Sequence, residues 1–242
     1  MIYIKNKLCI LILFTTCILP LGGIGISGIG NMHAINPDNE IEGPVTLTLE
    51  SQDWEGGLNW FLYFDIPLTD FSIEYSNESK LHIFTGSLDW DTDLAVLPSG
   101  IDAESINGDI PTNIKSQYFT LRKEFFGLSI PFLAKGALHI GGGYNTHNSL
   151  TPTIGTLKKM AEVNEVENLF LELDNNWNTN TLEDLWNEYS IDSNGIHLQA
   201  GLQGSILMLN LFANAKYTFI FNQEESSIKS FPGLSIGIAY GI

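Results

Sequence analysis

The chain has 242 residues and a formal net charge of −17, with 28 acidic residues against 11 basic ones. Nucleic-acid binding needs clustered cations to neutralise phosphates, and a chain whose single arginine is Arg122 supplies no such cluster. The only two cysteines, Cys9 and Cys17, fall near the N-terminus, so the rest of the chain has no disulfide, thiolate metal site or cysteine nucleophile.

Lys5 and Lys7 precede an uncharged run, Leu8 to Ile29, the layout of an export signal. Pro20 and the glycines from Gly22 to Gly30 argue against a membrane-spanning helix. The expected signal peptide is 1–34, cut between Ser27 and Ala34. Phe14-Thr15-Thr16 before Cys17 is a poor lipidation site. Residues 35–57 form an N-terminal arm or an extra strand, Val45–Glu50.

From residue 58 the alternation of apolar and polar residues has period 2, the mark of strands with two unlike faces. Leu58, Trp60, Leu62, Phe64 and Ile66 alternate with Asn59, Phe61, Tyr63 and Asp65. Phe71, Ile73 and Tyr75 alternate with Ser72 and Glu74, and Leu81 and Ile83 with Lys80 and His82. Glu55-Gly56-Gly57, Pro67 to Asp70, Asn77-Glu78-Ser79, Lys135-Gly136, Gly204-Ser205 and Asn222 to Ser226 read as breaks. Leu88 to Lys115 is acidic, carries Pro98 and Pro111, and reads as a loop. Its Asp89, Asp91 and Asp93 lack the glycine and glutamate of a calcium loop.

Phe119 and Leu121 lie on odd positions, whereas Leu128, Ile130 and Phe132 lie on even ones. One extra residue near Phe125-Phe126-Gly127, a β-bulge, reconciles them. Gly141-Gly142-Gly143 has no following Lys-Ser/Thr and is not a phosphate loop. His82, His139, His147 and His197 have no metal-ligand spacing, and no nucleophile elbow occurs, so no catalytic residue, cofactor or metal site is expected and the chain is not read as an enzyme.

Thr151 to Ser190 reads as two helices. Leu157, Met160, Val163, Val166, Phe170 and Leu173 share a face in the first. Thr181 caps the second, with Leu182, Leu185, Trp186 and Tyr189 as its stripe. Such stripes predict docking on the parent domain. The longest period-2 run follows, Leu207 to Phe221 on odd positions.

The chain closes on Leu234, Ile236, Ile238, Tyr240 and Ile242, separated by Ser235, Gly237, Ala239 and Gly241. One face is apolar and the other thin. This resembles the terminal strand of small bacterial outer-membrane β-barrel proteins, with Tyr240 as the aromatic third from the end and Ile242 in place of the usual final aromatic. The resemblance implies an antiparallel transmembrane β-barrel in the cell outer membrane, in contact with its lipid and inserted by the barrel-assembly machinery through this strand.

Bookkeeping of short inner turns and long outer loops favours eight strands, near 58–66, 71–77, 80–87, 116–134, 137–145, 196–203, 206–221 and 229–242. Ten is the alternative. Both termini then lie inside, with Leu88–Lys115 and Thr146–Asn194 outside. Asp65, Glu74, Lys80, His82, Arg122, Glu124 and Lys216 would face the lumen as a polar network. The expected function is a structural or surface-interaction role through the outer loops. The alternatives are a narrow channel or small-hydrophobe conduit, and a secreted soluble β-sandwich binding module.

Overall fold

A computed structural model describes residues 21–32, 39–94, 105–130, 134–165, 169, 189–221 and 228–241. Its strands are β1 (Gly22–Met32), β2 (Glu40–Glu42), β3 (Val45–Ser51), β4 (Trp54–Asp65), β5 (Phe71–Trp90), β6 (Ser105–Ile130), β7 (Ala134–Ser149), β8 (Ile191–Ile206), β9 (Leu209–Ile220) and β10 (Phe231–Gly241). A short helix, α1 (Ile154–Met160), lies between β7 and β8.

Eight of these strands close a ring, each antiparallel to its neighbours, in the order β5-β4-β1-β10-β9-β8-β7-β6 and back to β5. The register shows the closure directly. Phe119 pairs with Tyr75, Tyr75 with Leu62, Leu62 with Ile24, and Ile24 with Tyr240. Tyr240 pairs with Leu209, Leu209 with Ile206, Ile206 with Ala134, and Ala134 with Ile130. The path thus returns to β6 eleven residues beyond Phe119. One of those is the bulged Phe125, so the stagger is ten. Eight strands with that stagger tilt by about 40° and enclose a lumen only wide enough for side chains.

This continuous ring rules out two sheets packed face to face, and with them the β-sandwich reading. The fold is an all-β antiparallel barrel, and β2 and β3 extend its sheet above β4 without entering the ring.

Alternation decides what faces where. In the lower barrel the residues facing out are apolar: Ile24, Ile26, Leu62, Phe64, Ile73, Phe119, Leu121, Ile236 and Ile238 are all exposed. Trp60, Tyr75 and Phe119 stack across three strands, with ring centroids 5.3 and 4.9 Å apart. The residues facing in are polar or small apart from an aromatic cluster of Phe61, Tyr63 and Phe212. This is the transmembrane pattern.

Part-way up β5 and β6 the pattern inverts. The inward positions of β5 run Ser72, Glu74, Ser76, Glu78, Lys80, His82 and then Phe84, Leu88, Trp90. Its outward positions run Phe71, Ile73, Tyr75 and later Thr85, Ser87, Asp89. On β6, Tyr118, Ser116 and Ile114 repeat the inward change, and Asn113, Asp109 and Asn107 replace Leu121 and Phe119 outside. The outward face of β5 from Phe71 to Leu81, apolar except at Asn77 and Ser79, rises about 27 Å at that tilt, close to a bilayer's hydrocarbon core.

Above the inversion a separate apolar core forms from β3, the tops of β5 and β6, α1 and the start of β10. Val45, Leu47, Phe84, Ile114, Ile154, Leu157, Leu169 and Phe231 are buried together there. The Thr153 side chain caps α1 by accepting from Thr156 N, and Thr156 returns the bond to the Thr153 backbone N–H. Ile154 N–H donates to Glu40 at 2.7 Å, and Lys158 pairs with Glu42 at 2.7 Å. The helix therefore seats on the β2–β3 hairpin over the barrel mouth.

Several sequence expectations change. Gly22–Met32, read as part of the leader, is β1, hydrogen-bonded to both β4 and β10; a cut between Ser27 and Ala34 would remove a wall of the barrel. Asn77-Glu78-Ser79 is no turn, because β5 runs through it. The count of eight survives because the strand divided in error replaced the strand overlooked. Lys135-Gly136 and Gly204-Ser205 lie within strands, and the β8–β9 turn is Leu207-Met208, with Leu207 at φ 55°. Leu207 to Phe221 is therefore not one strand. Of Leu88–Lys115, read as a loop, Leu88–Trp90 belongs to β5 and Ser105–Lys115 to β6. The bulge falls between Glu124 and Phe126 as expected. Of the helical insertion 151–190, α1 is the described helix; the second helix proposed at Thr181, with Leu182, Leu185 and Trp186, lies outside the described residues, as do the signal residues up to 20 and Pro131.

Candidate functional site

The lumen is built by inward positions of all eight strands of the ring. Near its lower end Phe61, Tyr63 and Phe212 meet edge to face, with ring centroids 5.2 and 5.4 Å apart. They account for the thin face of the terminal strand. Ala239 packs in their cluster, and a Cβ at Gly25 on the adjoining β1 would strike the Phe61 ring. Large residues on one wall thus require small ones opposite.

All seven candidate residues occupy inward positions of the ring. Arg122 and Glu74 form a close pair, 3.0 Å between Nη1 and the carboxylate, and both are buried. Arg122 Nε donates to Ser72 at 3.1 Å, and its guanidinium lies 5.5 Å from the Phe212 ring centre and 5.7 Å from that of Tyr63. Glu124 pairs with Lys135 at 2.5 Å near the inner rim, and Asp65 is partly buried at the lower end of β4. Higher up, Lys216 pairs with Glu78 across the lumen and sits 3.3 Å from the Tyr118 ring centre. Lys80 lies 3.9 Å from Glu78 and is fully buried, its Nζ donating at 2.8 Å to the Asn31 amide when that group presents its oxygen. His82 and Glu55 approach to 2.9 Å just beneath the apolar core, with Phe84 against the His82 ring at 4.4 Å.

Glu55, Glu78 and Lys135 belong to this set and were missed by sequence, because each sat in a stretch read as a break. Parity could have found them. Glu55, Asn59 and Asp65 share one parity across Gly56-Gly57, as Glu74, Glu78 and His82 do across Asn77 and Ser79. A turn would have broken that phase.

Five inward carboxylates, Glu55, Asp65, Glu74, Glu78 and Glu124, face four cations, Lys80, Arg122, Lys135 and Lys216, with His82 beside Glu55. Part of the polar remainder also finds partners, although the Ser193 and Tyr63 hydroxyls have none among the described residues. His147 bonds Ser116 at 2.7 Å and Asn145 at 2.9 Å, and His197 bonds Thr120 at 2.9 Å. Among the described residues, no three His, Cys, Asp or Glu side chains converge as a metal site. A lumen cavity lined by Asn59, Glu74, Glu78 and Lys216 holds ≈ 20 Å³, room for about one water. Charges that must leave water are costly unless paired; here they zip the interior shut.

No family model matches the chain, and no curated protein is similar to it in sequence. Solved structures similar to it are small bacterial outer-membrane barrels. Ail, the attachment invasion locus protein of Yersinia pestis, is 11% identical with a TM-score of 0.40, covering 91% of this chain and 97% of its own. The N-terminal β-barrel domain of Pseudomonas aeruginosa OprF is 9% identical with a TM-score of 0.40, covering 93% and 99%. Neisserial surface protein A is 10% identical with a TM-score of 0.39, covering 91% and 97%.

Proposed function

We propose that this protein is a non-conducting outer-membrane barrel that displays a folded, acidic outer end for surface interaction. The observation that supports this most is the division of charge. The described residues above the barrel, 39–53, 82–94, 105–115, 150–165, 189–192 and 228–230, hold 11 acidic residues and 4 basic ones. The lumen charges nearly cancel. An excess of negative charge is therefore presented away from the membrane, on a platform with its own apolar core, and no enzyme chemistry is assigned to it.

Export fits a leader that ends before Gly22, leaving β1 intact. The apolar outward face of β10, from Leu234 to Tyr240, is the segment we propose the barrel-assembly machinery engages, with outer-membrane lipid around the finished belt. A narrow channel or hydrophobe conduit is the lesser reading, since a water-sized cavity under an apolar cap offers no through path. Planar-bilayer recordings of refolded protein should show no discrete openings. Sustained openings that change when Glu78 is neutralised would overturn the closed-lumen reading.

A further inference from the structure

Most glycines of the barrel wall are explained by their neighbours. A Cβ at Gly143 would collide with the Phe119 carbonyl, and one at Gly237 would lie 2.5 Å from Ser27 Cβ. Gly28, Gly136 and Gly204, with Gly56 on β4, are different. A Cβ on any of them would meet no atom within 4 Å, and none has a positive φ. Glycine weakens a strand interior, and where it persists something often approaches the backbone closely. Nothing within the described protein approaches these four.

Gly28, Gly136 and Gly204 face outward, and all three floor furrows in the lipid-facing belt. One furrow of ≈ 720 Å³ passes over Gly28, between the exposed Leu58 and Ile236 on the flanking strands, and reaches Gly204. A second, ≈ 590 Å³, continues from Gly204 over Gly136 beside Leu128 and Ile130. The upper end of the first is polar. Asn77 and Ser79 line it, Ser79 donates to Asn113 at 3.0 Å, and the exposed Lys115 stands opposite Ser79 on β6. On β6 this is the level at which the exterior turns from apolar to polar, with Lys115 and Asn113 following Phe119 and Leu121, while on β5 the exposed Leu81 stands just above it. A long apolar trough ending beside hydroxyl, amide and ammonium groups has the outline of one lipid.

We propose that this furrow is a binding site for a single anionic phospholipid, with an acyl chain lying over Gly28 toward Gly204 and the phosphate beside Lys115 and Ser79. The site rests on the membrane-embedded reading of the barrel. Filling the floor should evict the lipid without disturbing the fold, since Gly28→Leu meets open space.

The test is native mass spectrometry of the full chain refolded in micelles doped with phosphatidylglycerol, comparing wild type, Gly28→Leu and Lys115→Gln. Heat-modifiable gel migration of each sample reports separately that the barrel is folded. Wild type should retain one phosphatidylglycerol. Gly28→Leu should retain roughly tenfold less, the consequence of ~1.4 kcal/mol of lost binding, and Lys115→Gln should lose the preference over phosphatidylcholine. Folded wild type with no retained lipid, retention unchanged by Gly28→Leu, or a dimer that Gly28→Leu dissolves would each overturn the proposal. Loss of heat-modifiability in wild type would instead defeat the barrel reading beneath it.

Discussion

The lower barrel and the extension above it are made from the same two strands, β5 and β6, yet they are built in opposite senses. Below Leu81 the polar residues face in and, apart from Asn77, Ser79 and their β6 neighbours, the outward ones are apolar; above Phe84 the reverse holds. No helix, linker or domain boundary separates the two regimes. The change is carried by side-chain order alone, along ladders that pair continuously from Phe71–Lys123 to Asp89–Ser105. A strand's geometry is indifferent to its solvent, so a single hairpin can serve lipid at one end and water at the other. Stability must then come from different sources in the two regions, ion pairing inside the barrel and apolar burial inside the cap.

That difference is open to mutation. Glu78→Ala should have the largest effect, because Lys216 and Lys80 would both keep a buried charge without its counter-ion. A loss of ~3–5 kcal/mol is expected, read as a lower urea midpoint for barrel unfolding in detergent. Glu78→Gln with Lys216→Met should recover much of it, since neither group is then charged. No recovery in this double variant would mean that the lumen is not held by charge pairing.

Next is the outer wall. Leu62→Arg puts a cation into the belt and should cost ~2–4 kcal/mol of barrel stability, whereas Thr85→Arg, on an outward position above the inversion, should stay within about 0.5 kcal/mol of wild type. Equal costs at the two sites in lipid-reconstituted protein would erase the proposed boundary.

The smallest expected effect is in the cap. Thr153→Ala removes the α1 capping bond and should cost about 1 kcal/mol. Hydrogen exchange should rise in α1 and the β2–β3 hairpin, with β4 and β10 unchanged. A uniform rise around the ring would show that cap and barrel unfold as one unit.

Sequence periodicity made the barrel legible wherever alternation was continuous, and the parity slip at Phe125 was enough to place the bulge. The resemblance of the last nine residues to a barrel-closing strand also led to the right architecture. Glycine was the main source of error. In β1, with Gly22, Gly23, Gly25, Gly28 and Gly30, it hid a strand inside an apolar run that follows a basic start. At Gly56-Gly57, Gly136 and Gly204 it suggested turns. In a closed barrel glycine is demanded by a facing ring, as at Gly25, or stands on the lipid side, as at Gly28, and neither condition can be seen until the opposite wall is known. The lumen set was found in part for the same reason. Alternation gives the side of the sheet, whereas the partner of a charge such as Lys216 lies 138 residues away, at Glu78.

Bromine quenching along β5 would test the inversion most directly. Cys9 and Cys17 are the chain's only cysteines, and both precede β1. Replaced there, they leave a background in which single cysteines at positions 71 to 89 can carry a fluorophore in bilayers with brominated acyl chains. Quenching is expected at Ile73 and Tyr75, and none at Thr85 and Ser87 or at the inward Ser76. Quenching that continued through Ser87, or that appeared equally at Ser76 and Tyr75, would contradict a barrel whose polarity inverts at the membrane surface.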